Sequence, residues 1–86
     1  MKVSILYHPA SEFARMVEDY ARDFERQKGS TIELISLETR EGAELATTYD
    51  IVQYPAVLAR RDNGELLRHW VGDPLPLMNE VAGYLQ

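Results

Sequence analysis

Few residues of this 86-residue chain can do chemistry. It has two histidines, His8 and His69, and no cysteine. The missing cysteine removes thiolate nucleophiles, C-x-x-C redox chemistry, disulfides, and zinc or iron–sulfur sites held by sulfur. His8 and Ser11 lie three residues apart and are the nearest approach to a base and a nucleophile. A working serine nucleophile sits on a sharp elbow and has an acid to orient its histidine, and neither pattern occurs here. Ser11 therefore reads as a helix cap, and no catalytic residue is assigned. His8 and His69 do not share one helix face at three- or four-residue spacing, so the pattern names no metal site and no cofactor. His69 alternates with Arg68 and Trp70 and reads as a surface or half-buried strand residue. Arg60, Arg61 and Arg68 stand near Asp62, Glu65 and Asp73, where charge balance is one reading and a local anion site the other.

Lys plus Arg number 9 against 14 Asp plus Glu, a net charge of −5. That balance lacks the basic footprint of a nucleic-acid binder. Apolar residues at 45% and charged residues at 27% suit a globular chain. The length suits one domain over 1–86. The apolar stretch Val3–Tyr7 ends at His8-Pro9, too short for a signal-peptide core. No window reaches the ~18 apolar residues of a membrane helix. The expectation is a cytoplasmic protein without membrane or nucleic-acid partners.

The elements that must position these residues follow from periodicity. Val3–Tyr7 is a buried strand. Pro9 suits a first helical turn. From Ser11 onward Phe13, Val17, Tyr20, Ala21 and Phe24 recur at helical spacing. The opposite face is charged and solvated, with Arg15/Asp19 and Glu18/Arg22 at i,i+4 contributing a few tenths of a kcal/mol each. Gly29 ends the helix. Thr31–Leu37 is a second strand, apolar on both faces. A second helix spans Arg40–Thr48 with Thr39 as N-cap; Ala43, Ala46 and Tyr49 line its inner side, and Gly42 lowers its propensity. Ala56–Ala59 is a third strand within Pro55–Arg61. Asn63-Gly64 predicts a type I′ hairpin with positive φ at both residues. Glu65–Val71 returns, Gly72-Asp73-Pro74 breaks it, and a last helix runs over Pro76–Leu85 with Leu77, Met78, Val81, Ala82 and Leu85 inward. The order β-α-β-α-β-β-α implies an α/β fold: one mixed four-stranded sheet flanked by helices on both faces.

In that order, Tyr49-Asp50-Ile51-Val52-Gln53-Tyr54-Pro55-Ala56-Val57-Leu58, then Asn63-Gly64-Glu65 and Val71-Gly72, resembles the thioredoxin-like (glutaredoxin-like) family. The resemblance covers nearly the whole chain. It implies that Pro55 is a cis-proline. It also sets His8-Pro9-Ala10-Ser11 where the family carries C-x-x-C, with His8 at the nucleophilic cysteine's place and Ser11 at the resolving one's. Disulfide exchange needs a thiolate attacking sulfur, so the fold carries over and the oxidoreductase activity does not.

The resemblance further implies a groove beside Pro55 where an extended peptide pairs with main-chain groups. His8, Ser11, Tyr54 and Pro55 are its candidate binding residues. His8, at the end of a helix, would hydrogen-bond a partner or simply fill the turn. The expected partner is an unidentified protein or peptide, and the chain a monomer or weak dimer. A small glutathione-like ligand, a thiol-independent enzymatic step, or interaction through the outer face of the last helix are the alternatives.

Overall fold

The computed structural model describes residues 1–85. Its strands are β1 (Lys2–Tyr7), β2 (Glu33–Ser36), β3 (Ala56–Arg60) and β4 (Leu66–Val71), and its helices α1 (Ala14–Lys28), α2 (Arg40–Thr48) and α3 (Met78–Ala82), which a 3-10 turn extends over Gly83–Leu85. The order along the chain is the expected one. The sheet runs β2-β1-β3-β4. β1 pairs parallel with β2 and antiparallel with β3, and β4 pairs antiparallel with β3.

β1 and β3 are central and covered on both faces, which is why both read as largely apolar rather than alternating runs. On one face Val3, Ile5, Val57 and Ala59 pack against Val17 and Phe24 of α1 and Val81 of α3. On the other, Leu6, Ala56 and Leu58 pack with Ile35, Ile51 and the half-buried Leu45 and Ala46 of α2. Ser4 is the buried polar exception on that second face. Its hydroxyl donates to Glu33 Oε1 at 3.1 Å and accepts from Arg60 Nη2 at 2.9 Å, so it is satisfied as a buried polar group must be. Arg60 thus turns inward toward Ser4 and Glu33 rather than balancing the hairpin acids. Arg61 does pair with Glu65, at 2.9 Å. Arg68 reaches Glu80 of α3 at 3.5 Å, not Asp73, and its guanidinium lies 4.8 Å over the Trp70 ring.

Several expected details differ. α1 starts at Ala14, because residues 8–14 form successive turns: the Ser11 N–H donates to the His8 carbonyl at 3.0 Å and the Ala14 N–H to the Ser11 carbonyl at 3.2 Å. Pro9 therefore lies in a turn, and the N-cap is Phe13, without a side-chain cap. The ion pairs on α1 are Asp19–Arg22 and Asp23–Arg26, each 2.7 Å and i,i+3, in place of the expected i,i+4 pairs. β2 is shorter than Thr31–Leu37, and β4 begins one residue later than Glu65. The hairpin is not type I′: Gly64 has φ 94 while Asn63 is not at positive φ. Gly64 N–H donates to the Arg61 carbonyl at 2.9 Å and Arg61 N–H to Glu65 at 2.8 Å, closing a three-residue loop in which only the last position is left-handed. A register shift at Ala59/Arg60 accompanies it. Ala43 is exposed on α2. Leu77 is 78% exposed, because it is the extended N-cap residue of α3 rather than part of its inner stripe.

α2 has the expected bounds, and Thr39 Oγ1 accepts from the Gly42 N–H at 3.0 Å. Gly42 is there for space: a Cβ would lie 2.1 Å from the Ser36 carbonyl oxygen. α1 is tied to the segment before α3 by Tyr20, whose hydroxyl donates to the Pro76 carbonyl at 2.8 Å. Burial, with the nearby Glu80 charge adding to it, pushes the Tyr20 pKa up to about 12.

Gly42→Ala gains up to about 1 kcal/mol in helix propensity, yet the clash with backbone reverses the sign. A net loss of ~1–3 kcal/mol is expected in urea unfolding; a gain would contradict the close approach. Tyr20 keeps its proton in the fold over a range where the unfolded chain, near the ordinary 10.0, has released it. Its contribution is whole below about pH 10 and is lost as pH rises toward 12. Tyr20→Phe is therefore expected to lose stability less steeply across that window, and an unchanged slope would refute the assignment.

Candidate functional site

The pairing of β1 with β3 builds the site. Ser4 lies opposite Leu58, Ile5 opposite Val57 and Leu6 opposite Ala56. Carried two steps past the strand ends, the same register sets His8 across from Tyr54. The two rings meet edge to face, with centroids 5.4 Å apart and planes at 81°, a favourable aromatic geometry. His8 lies in a turn six residues before α1 rather than at the helix end.

The segment carrying Tyr54 and Pro55 is aimed by the end of α2. Ile51 N–H donates to the Ala46 carbonyl at 2.8 Å and Asp50 N–H to the Thr47 carbonyl at 3.3 Å. This is a Schellman ending, with the following hydrophobic residue, Ile51, buried in the core. Asp50 occupies its left-handed position at φ 56 and is the one non-glycine residue with positive φ among the described residues. Tyr54 closes the loop by donating its hydroxyl to the Ile51 carbonyl at 2.8 Å. The Tyr54-Pro55 bond is cis, as the resemblance implied, and so is Asp73-Pro74. Pro55 itself is fully buried, and its carbonyl accepts the Gly72 N–H at 2.8 Å.

Between this loop and α2 lies an open depression of about 470 Å³. Leu37, Ala46, Ile51 and Val52 make its apolar lining, and His8, Asp50 and Tyr54 bring polar groups to it. Val52 is 79% exposed. Among the described residues, neither the N–H nor the C=O of Tyr54 has a hydrogen-bond partner. Of the four candidate residues, His8 and Tyr54 meet in the depression, and Pro55 lies beneath as a support. Ser11 is not part of its lining. Its hydroxyl donates to the His8 carbonyl at 2.7 Å and accepts from the Phe13 N–H at 3.3 Å, so it holds the turn that presents His8. Asp50 and Val52 were not singled out from the sequence. The available signal is an Asp two residues past a helix and just before a core isoleucine, a residue type that tolerates left-handed backbone. No cluster of three or more His, Cys, Asp or Glu able to hold a metal occurs among the described residues, and none of their helices is long and apolar enough to cross a membrane.

No family model matches the chain, and no curated protein matches it. Among solved structures it is similar to thioredoxin 1 from the thermophilic eubacterium Thermosipho africanus TCF52B, with a TM-score of 0.68 over 99% of this chain and 90% of that one, at 12% identity. The likeness is one of fold. The chain has a thioredoxin-like fold and no cysteine, and thiol–disulfide exchange is closed to it.

The left-handed backbone at Asp50 is open to glycine and costly for a β-branched residue. Asp50→Val is expected to lose about 1–2 kcal/mol, while Asp50→Gly folds at least as stably as the parent in thermal melts. Equal stability of the Val and Gly variants would show that the helix ending is not held as described.

Proposed function

We propose that this redox-inactive chain is a binding module that captures an extended protein or peptide segment in the depression beside Pro55. The observation that carries the reading is the pair of main-chain groups on Tyr54 without a partner among the described residues, next to an open, partly apolar depression. An extended segment running past Tyr54 satisfies both groups, as in strand addition, while its side chains enter the apolar lining. Each residue then has a part. The His8 and Tyr54 rings wall the groove, Ser11 fixes the turn beneath His8, and buried Pro55 sets the direction of the Tyr54 backbone. The net charge of −5 speaks against a nucleic-acid partner. In this reading the protein works in the cytoplasm, as a monomer or weak dimer, and needs no cofactor for binding.

Titrating the ¹⁵N-labelled protein with short extended apolar peptides tests this. Amide shifts are expected at Tyr54 and Ala56 and along the depression. Tyr54→Ala removes the wall that excludes water and is expected to weaken capture by about tenfold or more, whereas Tyr54→Phe, which keeps the ring, retains it. Undiminished binding by folded Tyr54→Ala protein would refute the site. A response to small ligands alone, confined to His8–Ser11, would favour a small-molecule site instead.

A further inference from the structure

We infer that the segment held in this groove carries a cationic side chain, arginine above lysine, beside apolar residues, and that Asp50 selects it. The inference rests on the groove reading just given and adds the chemistry of the occupant.

The lining has two ionisable groups besides the Tyr54 phenol: the His8 imidazole and the Asp50 carboxylate. Asp50 is exposed. Among the described residues its carboxylate has neither an ion pair nor a hydrogen bond; other exposed acids such as Glu12 and Glu41 are also unpaired, but Asp50 is the acid that lines the depression. Its position is also fixed. The main-chain bonds that end α2 lock Asp50 at φ 56, so the carboxylate stands on a set backbone rather than a loose loop, and little ordering remains to be done on binding. Exposed Val52, two residues on, adds an apolar contact on the same lining. An unpaired carboxylate beside the apolar part of the lining complements a side chain with a long apolar stem and a cationic head. The guanidinium suits it best, because its planar fork can meet both carboxylate oxygens at once.

The neighbouring charges do not cancel this sign. The adjoining depression on the outer side of α2 brings Arg40 and Glu44, one of each charge. The net charge of −5 favours approach of a cationic segment from any direction, though salt near physiological strength screens it beyond about 8 Å.

The test compares three peptides of form Leu-Xaa-Leu-Ala with blocked ends, Xaa being Arg, Gln or Glu, by NMR titration of the full chain. The Arg peptide is expected to bind about two- to fivefold more tightly than the Gln peptide, the range of an exposed ion pair, with the Glu peptide weakest. The preference should shrink at high salt. Asp50→Asn and Asp50→Gly, both compatible with left-handed backbone, are expected to bring the Arg and Gln peptides to equal affinity. Equal binding of Arg and Gln peptides by the parent chain, or a preference that survives both substitutions, overturns the inference while leaving the groove standing. Failure of all three to perturb Tyr54 overturns the groove reading and this inference with it.

Discussion

The antiparallel pairing of β1 with β3, Leu6 against Ala56, holds the rest in place. Side chains alternate along both strands, so a slip of one residue would exchange their two covered faces. Val3 and Ile5 would leave α1 and α3, and Leu6 would leave Ile35 and Ile51. Both faces are apolar, so burial alone does not forbid the slip. Ser4 does: its hydroxyl is satisfied only where Glu33 and Arg60 flank it. Turned to the other face, it would be an unpaired polar group among apolar residues, at a cost of about 1–3 kcal/mol. One buried hydroxyl near one end of the sheet thus helps to fix which residues meet at the other, where His8 faces Tyr54.

The end of α2 is the second fixed point. Gly42 lets the helix approach the Ser36 carbonyl closely, and the Schellman ending turns the chain so that Ile51 enters the core and Tyr54 reaches His8. The depression is what remains between those two anchors. The chain has no cysteine to place there. Among the described residues the depression holds an aromatic pair, an exposed valine, main-chain groups of Tyr54 without a partner and one carboxylate.

Much of this could be read in the sequence, for physical reasons. Val3–Tyr7, save Ser4, and Ala56–Ala59 are apolar because the central strands are covered twice. Thr39 sits three residues before the amide it caps, and Tyr54-Pro55 falls where the family's pattern has its cis bond. The misses have causes as well. The helical spacing from Phe13 onward did not show that residues 8–13 close turns first, because a turn and a first helical turn share the same residue types. Asn63-Gly64 fits more than one hairpin loop, and the pairing of Arg61 with Glu65 decides it. Leu77 matches the stripe by spacing, but it is the extended residue before α3. Gly42 looked like a weakness in a helix; its reason is a carbonyl on a different element. Residue type does not mark Asp50, because its left-handed φ and the neighbouring depression belong to the fold.

Cross-strand nuclear Overhauser contacts test the central pairing most directly. The account predicts main-chain contacts joining Ser4 with Leu58 and Leu6 with Ala56, together with contacts between the His8 and Tyr54 rings. Contacts displaced by one residue, or rings that do not meet, would contradict it.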